Sequence, residues 1–294
     1  MTNQEFLDFI KNPVAADGAW GTELLKAGLD QGDAPEVWNL ENPGKIQEIA
    51  ASYARAGSRI ILTNTFGANS LKLQHRGMEE KMALINREGA RLTREAGGGS
   101  YITAGDMGPT GRMVFMDEVS EEEVEEVFFS QSEALKEGGA DILLLETFTD
   151  LIELTAALKG AYRTGLPVVC TLTYDLMPDG SFRTVMGHAP EEVIPVLEEH
   201  GAAAVGANCG AGIDQYVELA SRICSLSRLP VWIKANAGLP VLKNNKVVYP
   251  MGADEYASHV KALLKAGVVV VGGCCGTGPE HIRGIVGEIE KYRI

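Results

Sequence analysis

The stretch Val268-Val269-Val270-Val271-Gly272-Gly273-Cys274-Cys275-Gly276-Thr277-Gly278-Pro279 passes from a β-branched apolar run, through a glycine-rich turn, to a proline that opens an amphipathic segment. A short apolar run bounded by turn residues reads as a strand buried on both faces, and a proline at the first helical position reads as a helix start. The stretch is one strand-turn-helix unit, and working outward from it the same unit recurs along the chain. Strands are expected at 13–17, 59–64, 101–105, 141–146, 167–173, 202–207, 230–236 and 268–273. Helices are expected at 43–56, 78–97, 119–138, 151–163, 190–200, 215–225, 253–266 and 279–291. Eight strands alternating with eight helices predict an α/β chain folded as a single (β/α)8 TIM barrel, with residues 1–294 as one domain.

Composition narrows the partners. The chain is 45% hydrophobic and 22% charged, the balance of an ordinary globular protein. No apolar run approaches the roughly 20 residues that span a bilayer. A formal net charge of −14 without a basic cluster is repelled by phosphate backbones and anionic lipid, so neither nucleic acid nor membrane is expected as a partner. The first eleven residues lack the basic start and apolar segment of a secretion signal and read as a short amphipathic helix, which places the protein in the cytoplasm. In that reducing compartment five cysteines, an odd number, are expected as ligands or buried apolar groups rather than as disulfides. Ser120 followed by Glu123 reads as a capping box, so the acidic run 121–126 is a solvated helix start, and Gly97-Gly98-Gly99 reads as a helix-ending turn.

The unusual residues fall at the carboxyl ends of the expected strands, the face on which barrel enzymes build their sites. Cys209 follows one strand and Cys274-Cys275 another, with a single strand between them around the rim. Three thiolates select zinc over magnesium or calcium, and three protein ligands with a fourth position open characterise a catalytic zinc site. Adjacent cysteines on a strand point to opposite faces, so both reach one metal only if Gly272-Gly273 and Gly276 let the chain turn. Cys170, inside a strand, and Cys224, on an amphipathic helix, are expected to pack. Of the histidines, only His188, in the loop after the fifth strand, lies anywhere near the rim. Glu146 ends the run Ile142-Leu143-Leu144-Leu145, where a carboxylate is costly to desolvate without a cation; the ammonium of an amino-acid substrate would serve, with Asp17 adding to it. Asn236 is either a weak oxygen ligand or a turn residue.

Taken together, Asp17-Gly18-Ala19-Trp20-Gly21-Thr22, Thr63-Asn64-Thr65-Phe66, Gly105-Asp106-Met107-Gly108-Pro109-Thr110-Gly111, Glu146-Thr147-Phe148, Asn208-Cys209, Asn236-Ala237-Gly238 with Pro240, and Gly272-Gly273-Cys274-Cys275-Gly276-Thr277 resemble, in order, the motifs of the homocysteine S-methyltransferase family. The likeness is greatest to the first barrel of the cobalamin-dependent methionine synthases. It implies a (β/α)8 barrel that holds Zn2+ through Cys209, Cys274 and Cys275, with L-homocysteine as the thiol. It further implies substrate contacts from Asp17, Gly18, Ala19, Thr65, Glu146 and Asn236. Thr147 stands where the betaine-dependent members carry tyrosine after the glutamate, and the sequence ends soon after its eighth helix without their C-terminal arm, so betaine is not the expected donor. With no second barrel for methylfolate and no cobalamin domain, the chain is expected to supply the thiol half of the reaction only. The expected donor is a methylcorrinoid on a separate protein, with S-methylmethionine or S-adenosylmethionine as the rival.

The expected chemistry is activation of homocysteine as a zinc thiolate and its methylation to methionine, since a free thiol is mostly protonated at neutral pH. Two other classes compete with it. Lys234 lies two residues before Asn236 on the seventh strand, where a buried lysine could form a Schiff base. Alternatively the cysteines form a structural zinc site or a thiol sensor.

Overall fold

The computed structural model describes residues 1–243 and 246–293. Eight strands alternate with eight long helices: β1 Val14–Ala15, α1 Pro43–Ala56, β2 Ile60–Leu62, α2 Met82–Gly97, β3 Ile102–Met107, α3 Glu121–Glu137, β4 Ile142–Phe148 and α4 Leu151–Tyr162, then β5 Val168–Leu172, α5 Pro190–Glu199, β6 Ala204–Gly212, α6 Ile213–Leu226, β7 Val231–Asn236, α7 Ala253–Ala266, β8 Val268–Gly273 and α8 Pro279–Arg293. The strands pair in the order β1-β8-β7-β6-β5-β4-β3-β2, and every neighbouring pair is parallel. A bridge from Ala16 to Ile60 closes the remaining seam. The chain is thus the expected TIM barrel.

The apolar runs are buried on both faces because the barrel interior lies on one side and the helices on the other. Their Val, Ile, Leu and Ala side chains join one continuous core with the inner faces of the helices. Among the described residues, no helix is long and apolar enough to cross a membrane. The first helix, Asn3–Phe9, carries a full capping box between Thr2 and Glu5 and sends Phe6 into the core at the amino end of β1. Ser120 caps α3 by accepting from the Glu123 amide at 3.1 Å, which is half of the expected box. Gly98 ends α2 in the left-handed conformation at φ +55°.

The expected strand boundaries fail where they matter to the site. Strand β4 runs on to Phe148, β3 to Met107 and β6 to Gly212, past the apolar residues that mark them in the sequence. Two of these extensions are irregular: the register shifts between Leu145 and Phe148 against β5, and between Cys209 and Gly212 against β7. Bulges of this kind re-aim side chains at the end of a sheet. They place Glu146, Thr147 and Cys209 at the rim. Two hairpins, absent from the sequence reading, stand on that face: Asp175–Leu176 with Phe182–Arg183 after β5, and Val241–Lys243 with Lys246–Val248 after β7.

Candidate active site

Cys274 and Cys275 lie just beyond β8, on a turn held from every side. The Cys274 amide donates to the Ala235 carbonyl at 2.7 Å, the Ala237 amide to the Cys275 carbonyl at 2.9 Å, and the Thr277 amide and hydroxyl to the Cys274 carbonyl at 3.1 and 2.8 Å. Gly276, at φ +83°, reverses the chain there, and a Cβ on it would lie 2.2 Å from Cβ of Tyr249. Cys209 sits at φ +61°, a strained position for a residue with a side chain. These turns bring the three Sγ atoms of Cys209, Cys274 and Cys275 within 4.8 Å of one another. A tetrahedral metal with Zn–S bonds of about 2.3 Å needs sulfurs about 3.8 Å apart, so the three thiols match such a donor set.

Without a metal, the cluster shares charge. Hydrogen bonds from Cys209 and then Cys274 pull Cys275 down to about 3 against its burial, with Tyr249 helping. For Cys209 the bond from Cys274 acts downward, but the bond to Cys275 and burial outweigh it and raise the thiol to about 11. Bonds to Cys209 and Cys275 raise Cys274 well above the ordinary thiol range. The arrangement is one thiolate held by two thiols. In chelator-treated protein, iodoacetamide is expected to label Cys275 first, at a rate nearly flat between about pH 5 and pH 8, because the nucleophile is already ionised throughout. A free thiol near 8.5 would quicken about tenfold per pH unit in that window. Peptide mass spectrometry of timed samples reads both site and rate; a first label on Cys209, or a free-thiol pH profile, contradicts the assignment.

The thiols form one wall of a cavity of about 380 Å³, which is also lined by Gly18, Ala19, Thr65, Asp106 and Glu146. Thr65 is locked by its hydroxyl, which donates to the Asp106 carbonyl at 2.7 Å and lies 2.5 Å from the Thr63 hydroxyl. Two expected substrate residues do not line the cavity. Asp17 is fully buried and its oxygens are taken: Oδ1 by Lys234 Nζ at 2.9 Å, and Oδ2 by the Trp20 indole at 2.9 Å and the Leu62 amide at 2.8 Å. Through the Leu62 amide its carboxylate adds a tie between β1 and β2, and it stands behind the cavity wall, where it holds Lys234. Asn236 is paired with Gly212 of β6, with Nδ2 donating to the Gly210 carbonyl at 2.8 Å and a buried Oδ1 that no protein group meets.

Lys234 is buried with Asp17 and stands 3.9 Å from Glu146. Burial alone would lower its pKa, but Asp17 and then Glu146 raise it above the ordinary lysine value. It is a locked cation, which removes the neutral amine that a Schiff base needs. Glu146 Oε2 has no hydrogen-bond partner, and burial raises the carboxyl's pKa, with Lys234 opposing. Asp106, to which the sequence reading gives no role, also lines the cavity; its Oδ1 is an orphan, and burial, then Glu146, push its pKa well up. Its signal is the same as that of Glu146, a carboxylate closing an apolar strand. Three acids thus face one lysine, an imbalance that a second cation would relieve.

Asn208 ties the two strained residues together. Its Oδ1 accepts from the Thr147 amide and the Thr171 hydroxyl, both at 2.8 Å, and its Nδ2 donates to the Thr147 hydroxyl at 2.7 Å. Thr147 is at φ +66° beside Glu146, and Asn208 precedes Cys209, so one amide fixes both arms of the site. Cys170 is buried in β5 and Cys224 half-buried on α6, as expected of packing thiols. His188 lies 3.0 Å from Glu192 and 3.8 Å from Asp150, and does not line the cavity.

This barrel, with three thiols and an acidic pocket on its carboxyl rim, has relatives. The family model for homocysteine S-methyltransferase matches residues 14–289, and the chain belongs to that family. It is 29% identical over 297 residues to methionine synthase of Mycobacterium leprae and 29% over 310 residues to that of Mycobacterium tuberculosis, matches that cover 95% and 98% of this chain. The chain spans about a quarter of the length of those relatives, 24% and 26%. Among solved structures it is similar to the homocysteine methyltransferase MmuM from Escherichia coli in its metallated form. That likeness has a TM-score of 0.77 at 23% identity and covers 97% of this chain and 99% of that one, which is a likeness of fold.

Proposed function

We propose that the barrel is a zinc-dependent homocysteine S-methyltransferase, one domain over residues 1–294, that makes methionine from L-homocysteine with a methylcorrinoid on a separate protein as donor. The observation that carries it is the convergence of Cys209, Cys274 and Cys275 on the wall of a cavity whose floor has surplus acid. A metallated relative with this fold and methionine synthases among the sequence relatives support the same reading.

Cys209, Cys274 and Cys275 would hold the zinc, which supplies the Lewis acidity that keeps a substrate thiol deprotonated at neutral pH. Glu146, with its unpartnered Oε2, takes the substrate ammonium, and Asp106 beside it offers a second unpartnered carboxyl oxygen, Oδ1, to the same cavity. Lys234 limits that charge while remaining fixed to Asp17. Gly18 and Ala19 bound the same cavity and leave room for the substrate's backbone end. Held at both ends, the sulfur lies ready for in-line attack, which replaces a bimolecular encounter by a positioned one. A sulfur lone pair forms the new S–CH3 bond, the donor's bond to the methyl group breaks with its electron pair staying on the donor, and the thiol proton leaves to solvent.

The test is a donor comparison on zinc-loaded protein with L-homocysteine, following methionine by mass spectrometry. Turnover with methylcobalamin and none with S-methylmethionine or S-adenosylmethionine is expected. Turnover with either of the latter alone would replace the donor and leave the thiol site standing.

A further inference from the structure

The loop that bounds the cavity at Gly18 and Ala19 and the turn that carries two of the thiols come from opposite ends of the sequence, yet Thr277 joins them. Its carbonyl accepts from the Ala19 amide at 3.2 Å, while its own amide and hydroxyl both donate to the Cys274 carbonyl, at 3.1 and 2.8 Å. A second tie runs alongside, from the Gly276 amide to the Thr22 hydroxyl at 3.2 Å. Both ties lie beyond Gly273, whose amide completes the pairing of β8 with β1 by donating to the Asp17 carbonyl at 2.9 Å. They therefore connect the two walls of the site rather than the strands of the barrel.

The connection has no slack. Thr277 is fully buried, and a Cβ on Gly18 would lie 2.9 Å from its hydroxyl oxygen and 2.9 Å from both Cε1 and the hydroxyl oxygen of Tyr53. Tyr53, buried on α1, donates to the Ala19 carbonyl at 3.1 Å. Gly18 and Ala19 are thus held between Tyr53 and Thr277, with glycine at position 18 because only a bare backbone fits. In so close a packing a displacement of the thiol turn is carried through Thr277 to the loop. A metal on the thiols would fix the three Sγ atoms at the spacing of a tetrahedral site, about 3.8 Å, and with them the turn. Through space the metal changes little, because one thiolate with two thiols and three thiolates with one divalent cation carry the same single negative charge.

We infer that Thr277, with Thr22 beside it, is a positioning residue that couples the two ends of the pocket: zinc on Cys209, Cys274 and Cys275 sets the Gly18–Ala19 loop for the backbone end of an α-amino acid, and the amino acid in return tightens the zinc. The inference rests on the zinc site of the proposed function. A coupling of two affinities is reciprocal, so one factor describes both directions.

The test is titration calorimetry of the full chain, zinc-loaded and metal-free, with L-norleucine, an isostere of methionine that has no sulfur to offer the metal. Zinc is expected to tighten norleucine about tenfold, inside the range usual for coupled sites, and saturating norleucine to tighten zinc by the same factor in competition with a chelator. Thr277→Ala opens the contact with Gly18 and removes the hydroxyl bond to Cys274, and is expected to cut both factors to less than about threefold. Thr277→Ser keeps the hydroxyl and is expected to keep most of the coupling. Thr22→Val cuts the second tie from the loop side, is expected to act in the same direction as Thr277→Ala, and decides the matter where that variant does not fold. Variants that weaken norleucine equally with and without zinc, leaving the ratio at its wild-type value, overturn the coupling through these residues. Equal norleucine affinity of zinc-loaded and metal-free wild type overturns the coupling altogether, and either result leaves the zinc site standing. A wild type that takes up no zinc overturns the proposed function and the inference with it.

Discussion

Lys234→Met is expected to lower the unfolding free energy by about 3–5 kcal/mol, the cost of leaving a buried charge without its partner. Lys234 and Asp17 are both buried and 2.9 Å apart, and Asp17 also receives the Trp20 indole and the Leu62 amide, so the carboxylate cannot move out to water. The defect is therefore in the seam of the barrel, and urea denaturation followed by circular dichroism measures it. Adding Asp17→Asn should restore most of the loss, because an amide can still accept from Trp20 and Leu62 without a charge to compensate. That pattern follows from the general finding that removing both members of a buried pair costs far less than removing one. A Lys234→Met protein as stable as the wild type would show that the pair does not support the barrel.

Cys274→Ala is expected to remove metal binding at stoichiometric zinc, and methionine formation with it. Even partners that only orient a ligand change metal affinity 10–100-fold, so loss of one of three sulfurs should weaken zinc by more than about 100-fold. Cys274 is a sharp choice because its backbone does the positioning through Ala235 and Thr277, and those bonds survive the substitution. The turn is thus expected to keep its shape, with an unchanged thermal midpoint for the metal-free protein. Zinc content by atomic emission, together with a methionine assay, decides the matter. Full zinc and full turnover in the variant would remove Cys274 from the site.

How much of this could be read from the sequence depended on whether an element is decided by local pattern or by a partner far along the chain. The eight strand-turn-helix units were legible because a parallel strand buried on both faces must be a short apolar run, and each helix must follow it with its own period. The three thiols were legible because their glycine neighbours mark the turn that Cys274 and Cys275 require. The strand ends were not: β6 continues five residues beyond Ala207, the last residue of the expected strand, since Asn208 and Cys209 remain paired to β7 despite being polar and strained. The partners of Asp17 were not legible for a related reason. A carboxylate after a strand looks like a ligand group, and only the fold shows Lys234, 217 residues away, closing on it. The warning was present in Lys234 itself, a lysine inside the run Val231–Asn236, where burial demands an acid. Asn208 and Asp106 carried polar signals at strand ends, but their partners lie on neighbouring strands that the sequence orders without measuring.

The most direct test of the central claim is zinc K-edge X-ray absorption on the zinc-loaded protein, with and without L-homocysteine. The account predicts three sulfur neighbours at about 2.3 Å with one lighter ligand, becoming four sulfurs when homocysteine is added. A site with four sulfurs from the start that ignores homocysteine would make the cluster structural, and protein that takes up no zinc would remove the metal from the account altogether.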